Sequence, residues 1–140
     1  MSDPFRVAFV CVQNAGRSQM STAFAEREVA ERGLDGQVEV VTGGTDPADH
    51  VHPEVVDVMG ELGFDLADRT PREVSDAELA ACDLVVTMGC STLDLDIEVR
   101  DWALTDPDGQ DLDAVRAIRD DISERVAAVF DDIEARLETA

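Results

Sequence analysis

The sequence has no lysine, no tyrosine, one tryptophan and two histidines. All 11 of its basic residues are arginine, set against 32 Asp and Glu, for a formal net charge of -21. That deficit of positive charge excludes the basic footprint that nucleic-acid binding needs. The acids are scattered along the chain, which describes a solvated acidic surface of the halophilic kind better than a docking site for a cationic partner. No apolar run reaches membrane-spanning length, and Met1-Ser2-Asp3-Pro4 lacks a basic start backed by an apolar stretch. A soluble, cytoplasmic protein is therefore expected, with no membrane partner. Three cysteines, Cys11, Cys82 and Cys90, are too few and too oddly numbered for a disulfide scaffold. They lack metal-type spacing, and His50 and His52 offer a His-x-His pair with no third ligand, so neither a metal nor another cofactor is expected. His52 reads better as part of a helix start. What remains is one domain spanning residues 1–140.

The apolar pattern alternates between two periods. Phe5 to Val10 reads as a buried strand ending at Cys11. From Arg17 to about Arg32 the pattern is helical, with Met20, Ala23, Phe24 and Ala30 on one face and Gly33 as the stop. Val38 to Thr42 is a second strand. His52-Pro53 opens a helix carrying Val55, Met59 and Leu62, ended by Gly63. Ser75-Asp76-Ala77-Glu78 has the form of a capping box, Asp83 to Met88 is a third strand, and Val99 to Leu104 a fourth. The last helix carries Val115, Ile118, Ile122, Val126, Val129, Ile133 and Leu137 at steps of three and four, with Asp120, Glu124, Asp131 and Glu138 off that stripe. Such alternation predicts an α/β fold with a parallel sheet covered by helices, whose site lies at the carboxyl ends of the strands. Cys11, Cys90 and Asp106 all fall just past predicted strand ends.

Between the first strand and the first helix runs Cys11-Val12-Gln13-Asn14-Ala15-Gly16-Arg17-Ser18. A helix start leaves backbone N–H groups without intrahelical partners and favours negative charge. Ala15 and Gly16 are small enough for the backbone of Val12 to Gly16 to curl into an anion nest. Arg17 adds a bidentate clamp for two oxygens of a tetrahedral oxyanion. The same field favours a thiolate, making Cys11 a nucleophile, and Ser18 is placed to donate to its sulfur. The alternative, an inert buried cysteine, leaves the arginine and the small loop residues without a purpose.

Continued through Gln19-Met20, this loop resembles that of the low-molecular-weight protein tyrosine phosphatase superfamily, and specifically its arsenate reductase branch. The phosphatases usually have Pro after the Arg-Ser. Further resemblances are Thr42-Gly43-Gly44-Thr45, His52-Pro53-Glu54-Val55, Asp83 to Cys90, and Asp101-Trp102-Ala103-Leu104-Thr105-Asp106-Pro107. The resemblance implies a three-layer fold with a four-stranded parallel sheet flanked by helices. It also implies that Asp106 is the general acid, protonating the oxygen that leaves phosphorus or arsenic. Asn14 is implied to fix the loop, and in some relatives it helps bind potassium. Leu104 to Gly109 contains no aromatic side chain to grip a phenyl ring, which favours a small oxyanion, arsenate or phosphate. Trp102 serves either as pocket wall or as core.

Arsenate reduction needs a second thiol, because arsenic must gain two electrons. Cys90 follows the third strand and so belongs to the same end of the sheet as Cys11, which fits it to attack the Cys11 sulfur. Cys82 precedes that strand, roughly 20 Å away at about 3.3 Å per residue, and is expected to be structural. Thioredoxin-coupled members that this chain resembles carry another cysteine several residues on, but Ser91 to Arg100 contains none. The reductant is then either a thioredoxin- or glutaredoxin-like protein acting on a Cys11–Cys90 disulfide, or a small cellular thiol. A phosphatase is the alternative reading.

Overall fold

The computed structural model describes residues 4–88, 97–104, 107 and 109–139. Four strands, β1 (Phe5–Cys11), β2 (Val38–Gly44), β3 (Leu84–Met88) and β4 (Glu98–Asp101), lie in the order β2-β1-β3-β4 and pair in parallel throughout. Four helices accompany them: α1 (Arg17–Glu31), α2 (Pro53–Gly60), α3 (Asp76–Ala80) and α4 (Leu112–Thr139).

Alternation along β1 splits the core in two. Val7, Phe9 and Cys11 face one side, where they pack with Met20 and Phe24 of α1, Val55 and Met59 of α2, and Ile122 and Val126 of α4. Ala8 and Val10 face the other, against Val74, Leu79 and Cys82. The sheet is thus a middle layer between α1, α2 and α4 on one face and α3 on the other. Phe9, Phe24, Phe130 and Met20 are among the largest fully buried side chains. Burial of each stabilises the fold by about 1.5–3 kcal/mol.

The expected elements form, with three corrections. In the last turn of α1 Val29 is buried and Ala30 exposed, because the face rotates by 100° per residue and meets the sheet at position 29. Leu62 lies beyond the end of α2 and is 46% exposed. The chain there closes on Gly63 at φ 90°, and the N–H groups of Leu62 and Phe64 both donate to Met59 O. Phe64, rather than Leu62, then meets α1, edge-on to Phe24 with ring centroids 5.4 Å apart. The fourth strand starts one residue early and ends three early. Its pairing with β3 runs to Thr87 opposite Asp101, and after the Trp102 N–H reaches Thr87 O at 2.8 Å the chain leaves the sheet.

The α4 stripe is buried from Val115 to Ile133, with Leu137 partly so, while Asp120, Glu124, Asp131 and Glu138 are exposed. Arg119 on this helix is only 8% exposed and was not marked by the apolar pattern. Its guanidinium donates to Val58 O at 2.8 Å and Glu61 at 2.9 Å, tying α4 to the end of α2. The capping box at α3 closes as the sequence suggests: Glu78 N–H donates to Ser75 Oγ, and the Ser75 N–H to the Glu78 carboxylate. Among the described residues, no helix is long and apolar enough to cross a membrane.

Candidate active site

Cys11 is the last residue of β1, paired with Gly44 on one side and Met88 on the other, and Arg17 is the first residue of α1. The loop between them has its carbonyls occupied one after another. Those of Cys11, Val12 and Gln13 accept from the N–H groups of Thr45, Asp46 and Ala48, at 3.2, 2.8 and 2.9 Å. The Asn14 carbonyl accepts from Gln19 Nε2 at 3.0 Å, that of Ala15 from His52 N–H at 2.9 Å, and that of Gly16 from Met20 N–H at 3.0 Å. The loop's carbonyls are thus satisfied by groups outside it or by the first turn of α1.

Asn14 is fully buried and stands at φ 51°, a left-handed conformation that a non-glycine residue adopts at a cost of order 1 kcal/mol. Its contacts hold it there. Its backbone N–H donates to Cys11 Sγ at 3.2 Å, and its Nδ2 donates to Ser18 Oγ at 2.8 Å and Thr42 Oγ1 at 2.9 Å. Its Oδ1 accepts from Gln19 Nε2 at 3.1 Å and from Arg72 N–H at 3.0 Å. Ser18 Oγ lies 2.9 Å from Cys11 Sγ. Cys11 is 3% exposed and Ser18 fully buried, so this cluster sits in a low-dielectric setting where each contact is strengthened.

Two glycines beside the loop leave room that a side chain would fill. A Cβ on Gly44 would come within 2.5 Å of Val12 O, and one on Gly43 within 2.4 Å of Val74 Cβ. A Cβ on Gly16 would stand 2.9 Å from Pro107 Cγ and 3.4 Å from His52 Cδ2. Pro107 thus rests directly against the loop. Arg17 reaches the same segment, its Nη1 donating to Leu104 O at 3.1 Å.

The residues singled out from the sequence therefore divide. Cys11, Asn14, Ala15, Gly16 and Ser18 are buried together, Val12 and Arg17 are half-buried, and Gln13 is exposed. Cys90 and Asp106 lie outside the described residues. Cys82 lies at the opposite end of β3, its thiol donating to Glu78 O at 3.4 Å. His52 is the N-cap residue of α2, His50 is exposed, and Trp102 is core, with its ring 6.1 Å from that of Phe9. Sequence reasoning did not find the contacts of Gln19, Thr42, Arg72 and Pro107 with the loop. Gln19, Thr42 and Pro107 were within recognised motifs, but pattern alone does not say which atoms meet.

The family model described as low molecular weight phosphotyrosine protein phosphatase matches residues 6–139. The chain belongs to that family. Among its relatives, a Halobacterium salinarum protein named "Putative arsenate reductase" is 68% identical over 130 residues, covering 91% of this chain and 92% of that protein. A Synechocystis protein named glutaredoxin arsenate reductase is 34% identical over 128 residues, covering 86% and 92%. The fold also matches a solved structure titled an arsenate reductase in the phosphate binding state, with a TM-score of 0.77 and 30% identity, over 92% of this chain and 98% of that one. Within this family, then, the chain is similar to proteins named for arsenate reduction, and the arrangement around Cys11 is its candidate active site.

Proposed function

We propose that the protein is a cytoplasmic arsenate reductase of a single domain. The observation that carries the reading is the Cys11 sulfur, buried at a strand end ahead of a 15-residue helix, in contact with the Ser18 hydroxyl and the Asn14 N–H. The N–H groups of Val12 to Gly16 and the Arg17 guanidinium bind the oxyanion. The Cys11 thiolate attacks arsenic, an oxygen leaves as water with a proton from Asp106, and a sulfur–arsenic bond forms. A second thiolate then attacks the Cys11 sulfur. The sulfur–arsenic bond breaks with its electron pair going to arsenic, arsenite leaves, and the two thiols are left as a disulfide. Cys90 is our candidate for that second thiol. The β1–β3 register sets Met88 beside Cys11, and Cys90 follows two residues on in the sequence. An external thiol is the other route. A glutaredoxin-like or thioredoxin-like protein, or a small cellular thiol, restores the reduced enzyme; the name of the Synechocystis relative supports the first of these.

The test is incubation of the purified protein with arsenate and each class of thiol donor. Arsenite release is followed beside hydrolysis of a small aryl phosphate. Arsenite in at least one donor system is expected; steady phosphate hydrolysis with no arsenite from any donor would make the protein a phosphatase. Cys90→Ser divides the two routes, since unchanged arsenite output with a small thiol would remove Cys90 from the reaction.

A further inference from the structure

Ser18 stands between Asn14 and Cys11, and the direction of its hydrogen bonds is set one layer further back. The 2.9 Å contact between Cys11 Sγ and Ser18 Oγ leaves either atom free to donate. Backbone groups have no such freedom: a carbonyl only accepts and an N–H only donates. The Gln19 amide atom 3.0 Å from the Asn14 carbonyl must therefore be its NH2. That nitrogen also lies 3.1 Å from one atom of the Asn14 carboxamide, and the Arg72 N–H lies 3.0 Å from the same atom. Two donors meeting it identify that atom as Oδ1. The Asn14 NH2 is then turned toward Ser18 and Thr42, at 2.8 and 2.9 Å. Thr42 Oγ1 accepts and passes its own hydrogen on to Phe9 O at 3.5 Å, in keeping with this polarity. Ser18 Oγ likewise accepts from Asn14, which leaves its hydrogen for the sulfur.

We infer that Gln19 is a positioning residue for the nucleophile: its NH2, together with the Arg72 N–H, fixes the carboxamide of Asn14 and so commits the Ser18 hydroxyl as a donor to the Cys11 sulfur. The inference rests on Cys11 being the nucleophile. Gln19 is 2% exposed, and among the described residues its Oε1 is buried without a partner. Leucine or methionine would fill the same volume without that orphan but would leave the Asn14 carbonyl without its Gln19 donor, so what the amide alone supplies is its pair of bonds to Asn14. Ser18 and the Asn14 N–H then both donate to the sulfur.

The test is the rate of Cys11 alkylation by iodoacetamide as a function of pH, read at the Cys11 peptide by mass spectrometry in the full-length protein. Gln19→Leu removes the donor at similar volume, and Gln19→Glu turns it into an acceptor facing two acceptors. Both are expected to move the Cys11 alkylation curve to higher pH and to slow the reaction at neutral pH by roughly tenfold, Glu more than Leu. The rate at the high-pH plateau should be kept. Arg17 and His52, which flank the loop, are unchanged in every variant. In a Ser18→Ala background Gln19→Leu should add little, since its effect runs through that hydroxyl. Wild-type alkylation curves in both variants, or an undiminished Gln19→Leu effect without Ser18, would overturn the inference. Should the variants fail to fold, NMR of the unaltered protein decides. The Asn14 NH2 protons should lie near Ser18 and Thr42, and finding them beside the Arg72 N–H would reverse the polarity. None of these readouts uses arsenate, so a protein that releases no arsenite can still pass or fail them.

Discussion

Cys11 and Cys82 are both 3% exposed; Cys11 ends β1 and Cys82 lies just before β3, its neighbour in one parallel sheet. They differ in the end of the sheet they occupy. Cys11 closes β1 at the carboxyl end, where an N–H and a hydroxyl meet its sulfur and a helix begins six residues on. Cys82 precedes β3 at the other end, where its thiol gives its hydrogen to the Glu78 carbonyl. Burial pushes the Cys82 thiol above its ordinary range; Arg6 opposes this, while Asp83, Glu39 and Glu78 add to it. Equal burial therefore yields unlike cysteines, one surrounded by donors and the other by acceptors and negative charge. Reactivity follows the direction of the surrounding dipoles, not exposure.

The sharpest way to break the comparison is to remove each sulfur. Cys11→Ser should lower arsenite release by at least about 10⁴-fold, whereas Cys82→Ser should leave it within roughly twofold. A Cys82→Ser enzyme as inactive as Cys11→Ser would erase the distinction. A smaller effect is expected at Gly16, where the added methyl of Gly16→Ala meets the Pro107 ring at 2.9 Å. Turnover should fall about tenfold as Pro107, and with it our proposed acid Asp106, is displaced. The loss with aryl phosphates should grow as the leaving group worsens, while Cys11 alkylation keeps its rate. The smallest effect is on stability at alkaline pH. The folded state holds the Cys82 proton more tightly than the unfolded chain does. Its contribution is therefore fully present below the unfolded thiol value of about 8.5 and is lost as pH rises toward the raised folded value. Denaturant midpoints taken on either side of that value should fall more for the parent than for Cys82→Ser.

Where one residue type repeats at a fixed step, the sequence could be read directly. The α4 stripe, the capping box at Ser75 and the apolar run into Cys11 each carry their structural instruction within a few neighbouring residues. Element ends were less legible. Ala30 and Leu62 continue an apolar period that the helix itself does not, because tertiary contact at Val29 and the turn at Gly63 decide where the face stops. Least legible were contacts between polar atoms distant in sequence. Gln19 was visible as a motif letter, but its bond to Asn14 depends on the left-handed twist at Asn14, and Arg72 N–H arrives from 58 residues away. Arg119 likewise carries no mark of its burial among its sequence neighbours, because the groups that hold it, Val58 O and Glu61, come from α2 and the residue after it.

The bond from Arg17 to the Leu104 carbonyl ties together two parts of the chain that the sheet keeps separate. Leu104 follows β4, at an edge of the sheet, while Arg17 follows β1, inside it. One rigid, planar group therefore belongs at once to the oxyanion loop and to the stretch that leads toward Pro107. Such a group couples the two: movement of one is felt by the other through a single hydrogen bond. If Arg17 clamps an oxyanion as we propose, any adjustment of the guanidinium to the size of that oxyanion is passed through the Leu104 carbonyl to the chain after β4.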